Sequence, residues 1–107
     1  MEGEKMLPKL YRHGDVLIQE TEEIPKKAKK ITGNILVEGE ITGHAHRLTN
    51  SDSFQIFHDE NIIFIEITQQ NVQVIHEEHE PITLPIGKYK VWVQREYTPK
   101  EIRRVID

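Results

Sequence analysis

Four of the six histidines of this 107-residue chain sit in two compact clusters. Two stand one residue apart in Gly43-His44-Ala45-His46, and two more flank a pair of glutamates in His76-Glu77-Glu78-His79. On a β-strand, residues two apart project from one face, roughly 7 Å apart at Cα. Imidazoles at that spacing can reach a single ion at roughly 2.0–2.1 Å per bond. His44, His46, His76 and His79 are therefore the candidate metal ligands. Neutral imidazole binds an ion when neighbouring groups hold its tautomer, so carboxylates within reach are expected. Glu38, Glu40, Glu77, Glu78 and Glu80 are the candidates for that role.

An ion with an open position lowers the pKa of bound water to about 7. Glu77 or Glu78 is then the candidate general base. Arg95 or Arg47 is the candidate for holding a phosphate or carboxylate on a substrate. His13 and His58 stand alone in the sequence, and neither is expected to be a ligand, although His58 shares parity with Phe54 and Ile56. The structural alternative is a set of surface histidines beside glutamates, which form only weak exposed pairs.

The second histidine pair leaves two geometries open. A spacing of three lies on one face of a helix but on opposite faces of a strand. By parity with Val72 and Val74, His76 points inward on a regular strand and His79 does not. A turn at Glu77-Glu78 would instead return both.

The chain holds no cysteine, which excludes disulfides, thiolate-bound zinc and cysteine nucleophiles. Any ion must take imidazole, carboxylate and water, a set that suits zinc, iron, manganese or nickel. The net charge of −4 gives no global pull toward nucleic acid or anionic lipid. No run approaches the roughly 18 apolar residues of a membrane span. The polar first residues lack a signal-peptide core, so the expected compartment is the cytoplasm. No phosphate-cradling glycine loop, Gly-x-Ser-x-Gly elbow or His-Glu-x-x-His motif occurs.

The elements that must position these residues read as strands. Alternating or apolar runs over 16–20, 34–41, 44–48, 54–58, 62–67, 72–76 and 88–97 are separated by turn signals. Residues 62–67 are apolar on both faces at their start, which predicts a central strand. Leu48 shares parity with His44 and His46, so both imidazoles are expected to face the interior. Residues 22–30, with Pro25 and four lysines, read as a connector, a loop or short helix. Pro81 and Pro85-Ile86-Gly87 interrupt the strand pattern. Thr98-Pro99-Lys100-Glu101 is a capping box that predicts a short C-terminal helix to about residue 106. Residues 1–10 read as a flexible N-terminal arm, and 11–107 as one β-rich domain, a small sandwich or barrel.

Gly43-His44-Ala45-His46 resembles the first metal motif of the cupins, and Pro85-Ile86-Gly87 resembles the Pro-x-Gly turn of their second. The resemblance implies a jelly-roll barrel with an internal ion on His44 and His46. Two parts of the cupin pattern are missing. Thr49, Asn50 and Ser51 occupy the stretch where its glutamate would follow, and no histidine follows Pro85-Ile86-Gly87. His76 or His79 would have to supply that ligand. The chain also resembles small proteins of prokaryotic and phage genomes with the same two histidine motifs, a likeness that implies a shared site and supplies no activity.

The expectation is a small cytoplasmic metalloprotein with a histidine-rich site for a divalent ion, acting as a metal-dependent hydrolase on a small anionic or phosphate-bearing ligand. The alternatives are a non-catalytic interaction module that assembles as a homo-oligomer through strand edges and the charged N-terminal arm, or a nucleic-acid accessory protein using Lys26, Lys27, Lys29, Lys30, Arg103 and Arg104.

Overall fold

The structure, a computed structural model, describes residues 8–38 and 43–94. Ten strands in two antiparallel sheets make up nearly all the regular structure of these residues. They are β1 (Leu10–His13), β2 (Val16–Thr21), β3 (Lys29–Ile31), β4 (Ile35–Glu38) and β5 (Ala45–Leu48). The rest are β6 (Phe54–Asp59), β7 (Ile62–Ile67), β8 (Val72–His76), β9 (His79–Leu84) and β10 (Gly87–Val93). The larger sheet has the order β1-β2-β10-β7-β6-β3, and the smaller β4-β5-β8-β9. Among the described residues, no helix is long and apolar enough to cross a membrane.

Strict alternation explains how the sheets face one another. Val16 and Ile18 of β2, Ile65 and Ile67 of β7, and Tyr89, Val91 and Val93 of β10 are buried on the inner face of the larger sheet. Leu36, Leu48, Val72, Val74 and Leu84 meet them from the smaller one. Tyr89 carries a hydroxyl into this core and donates it to the Pro85 carbonyl at 2.7 Å. Burial pushes its pKa up to about 12.

Three expectations from the sequence are corrected. The lysine connector was expected to be a loop or short helix, but Lys29–Ile31 pair with β6 as an edge strand. Exposed lysines suit that place because their charge discourages further strands from adding. Pro81 does not interrupt a strand: β9 runs through it, since an outermost strand can leave one backbone position without a donor. The strand expected at 44–48 starts at Ala45. Only His46 of the expected inward pair is buried, at 6% exposure, while His44 is half-buried before the strand begins. The expected helix at 98–106, Arg95, Arg103 and Arg104, Glu40 and most of the arm lie outside the described residues. Lys9 and Leu10, at the end of that arm, are already tied to β2.

Candidate metal centre

Tight hairpins deliver the histidines. His13 ends β1, pairs with Val16, and is followed by a turn at Gly14-Asp15. Gly14 has φ +68, the left-handed conformation that favours glycine. His76 ends β8 and pairs with His79 at the start of β9 across a turn at Glu77-Glu78. The parity argument does not decide this pair. A register shift between Val74 and His76 resets the alternation, and the turn returns His79. β1 and β9 are edge strands of different sheets, and they touch at this seam. His46, on β5, lies opposite Val37 and reaches the same place from inside.

The result is a knot of rings. Ring centres of His46 and His76 are 4.4 Å apart, His76 and His79 4.6 Å, and His46 and His79 5.8 Å. His13 lies 4.9, 5.5 and 6.4 Å from His46, His79 and His76. Two imidazoles bonded to one ion at roughly 2.0–2.1 Å have ring centres roughly 4.5–6.5 Å apart, close to the spacings among His46, His76 and His79. His44 joins from the rim, 5.5 Å from His76. His13, isolated in the sequence, thus joins the cluster in space. His58 lies away on β6, and its Nε2 is buried without a hydrogen-bond partner.

One set of donor atoms is already close. An atom each of His44, His76 and Glu77 lie within 4.8 Å of one another. Glu77 is held in place: Ala45 N–H donates to Oε1 at 3.1 Å and Arg47 Nη1 to Oε2 at 3.0 Å. Its pKa is lowered to about 2 by hydrogen bonds from its own backbone N–H, Ala45 N–H and Arg47. Glu78 Oε2 lies 3.5 Å from His44 Nδ1, and its backbone N–H donates to His76 Nδ1 at 3.0 Å. Glu80 takes part through its carbonyl, which His13 Nε2 meets at 2.9 Å.

Burial sets the charge of the inner rings. Desolvation lowers the His46 pKa to about 4, with His76, His13 and His79 adding to the effect and Asp15 opposing it. Burial likewise lowers that of His13, against the Glu80 carbonyl, which favours its protonated form. At neutral pH both rings are uncharged, the form in which imidazole offers a lone pair.

Of the residues expected to do chemistry, His44, His46, His76, His79, Glu77 and Glu78 are brought together. Sequence reasoning missed His13, Gly14, Asp15 and the Glu80 carbonyl. The one available signal was His13-Gly14-Asp15 itself, a histidine directly before a turn, as at His76.

No curated protein and no solved structure matches the chain. A family model described as "Domain of unknown function (DUF8820)" matches residues 12–94, a span that holds all five clustered histidines, and the chain belongs to that family.

Proposed function

We propose that this is a small cytoplasmic metalloprotein whose divalent ion is held at the seam by His44, His76 and Glu77. The observation that carries the reading is the mutual approach of those three donors, within 4.8 Å. Two imidazoles and one carboxylate suit zinc, or iron(II) with open positions. The hydrogen bonds from Ala45 and Arg47 orient the carboxylate as supporting groups around metal ligands do. Elemental analysis of untagged protein tests it. Near-stoichiometric metal in the wild type, lost in His44→Ala and His76→Ala, is expected; a native fold free of metal under saturating zinc overturns it.

Hydrolysis of a phosphate-bearing substrate is the finer reading. A bound ion with solvent-facing positions supplies Lewis-acid polarisation of a phosphoryl oxygen. Glu77, pinned and strongly acidic, fits a ligand better than the general base expected from sequence. Exposed Glu78 is the better group to accept a proton. Arg47 is spent on Glu77 and the Ala45 carbonyl, which weakens its claim to a substrate anion. Turnover of p-nitrophenyl phosphate by zinc-loaded protein, absent in His76→Ala, is the expected result. Equal rates in both remove the hydrolase and leave the metal site standing.

The cupin likeness of 43–46 belongs with this proposal. Two antiparallel sheets around one core favour it, while whole hairpins alternating between the sheets do not follow a jelly roll's strand order. Assembly is a second reading, favoured by Ile31 and Ile35, 37% and 41% exposed on edge strands β3 and β4. Light scattering that gives a dimer mass, reduced by Ile31→Lys, is its test.

A further inference from the structure

Resting on the metal-site reading above, we infer that His13 is a positioning residue that fixes the tautomer of His46 and so presents the Nε2 lone pair of His46 as a further donor to the ion held by His44, His76 and Glu77. The chain of protons starts at a group that can act in one direction only. The Glu80 carbonyl accepts, so His13 Nε2, 2.9 Å away, carries a proton and donates it. A neutral imidazole has one such proton, which leaves His13 Nδ1 bare. His46 Nδ1 lies 2.8 Å from that bare nitrogen and must therefore donate to it. The reverse direction would require two protons on a ring that is only 3% exposed.

Both nitrogens of His13 are thus spent, which makes it a support and not a ligand. The only lone pair left on His46 is at Nε2, on the ring edge away from His13. The other rings around His46 are His76 and His79, at 4.4 and 5.8 Å. Metal-binding histidines characteristically donate their second ring N–H to such an acceptor, and loss of that acceptor costs about 10–100-fold in affinity. Here the acceptor is another histidine, itself anchored to a backbone carbonyl on β9, so the tie crosses from one sheet to the other.

Long-range 1H–15N NMR of the untagged full chain, labelled in histidine, tests this. In metal-free protein, His46 is expected to carry its proton on Nδ1 and His13 on Nε2. Zinc chloride should shift His46 Nε2 into the ligated range and leave the protons on His46 Nδ1 and His13 Nε2 in place. His13→Phe should scramble the His46 tautomer and weaken zinc binding about 10–100-fold, while His44 and His76 still respond at saturation. A His46 proton on Nε2 overturns the inference, as does an unmoved His46 when His44 and His76 shift; the rim site survives either result. If no histidine responds to zinc, the metal reading falls as well. Should His13→Phe fail to fold, the wild-type tautomers and zinc shifts decide alone.

Discussion

The Cα of Gly14 backs directly onto the ring of His79: a Cβ built there would stand 2.8 Å from His79 Nε2. The contact joins the β1–β2 turn of one sheet to the first residue of β9 in the other. The φ of +68 favours glycine, and an added Cβ would in addition push the His79 ring aside.

Gly14→Ala should therefore cost more than backbone strain alone, which is about 1–2 kcal/mol for a left-handed residue. Gly33 is the control. It has φ +98 but nothing within 4 Å of its would-be Cβ, so Gly33→Ala should show only the backbone part. Urea denaturation of both variants measures the difference, and histidine NMR should show His79 displaced in the first alone. Equal losses would mean that the ring moves aside freely.

Metal loading should break the bond from Glu78 N–H to His76 Nδ1. An ion on Nδ1 takes the lone pair that accepts this bond at 3.0 Å. An ion on Nε2 forces the ring's proton onto Nδ1, where two donors would face each other. Either way the Glu78 amide should shift strongly in a 1H–15N spectrum on zinc addition. An amide unmoved at saturation would show that His76 is not a ligand.

Glu77→Gln should weaken zinc binding more than Arg47→Met does. The first removes the anionic donor itself, and the second only one of the hydrogen bonds that hold it. Arg47→Met is expected to cost about 10–100-fold, the usual range for a supporting group. Competition with a chromogenic chelator measures both. The opposite ranking would place the ion away from Glu77.

Metal-free protein should lose stability on mild acidification. His46 has an ordinary pKa of 6.5 when unfolded and about 4 when folded. Between these values the unfolded chain binds more protons, so stability falls as pH drops through 6.5 and levels off near pH 4. The contribution at stake is about 3 kcal/mol, with the lowered His13 acting in the same direction. Glu77 adds its own loss only as pH falls from its ordinary value of 4.5 toward about 2. Denaturation midpoints at pH 7.5, 5.5 and 4.5 test this, and His46→Phe should flatten the dependence. A wild-type midpoint independent of pH across this window would contradict the burial of these rings in solution.

The legible part of the fold lies in runs whose partners are dictated locally. Residues 62–67 and 72–76 coincide with β7 and β8, and 54–58 and 16–20 each fall one residue short of theirs. Tyr89, Val91 and Val93 alternate into the core as their period of two requires. β3 and β9 were hidden for the opposite reason. Edge strands bury little, so Lys29-Lys30-Ile31 and Glu80-Pro81 carry the composition of loops.

By itself, then, the sequence determined a β-rich chain with imidazole and carboxylate as its strongest metal donors, because residue type and alternation need no knowledge of distant segments. Only the tertiary structure decided which histidines meet. A register shift before His76 cancels the parity that would have placed it, and the turn after it returns His79. His13, 33 residues from His46 in the chain, arrives solely because two sheet edges close on one another. Periodicity records which face of a strand is buried; it holds no record of which turns are stacked across the seam.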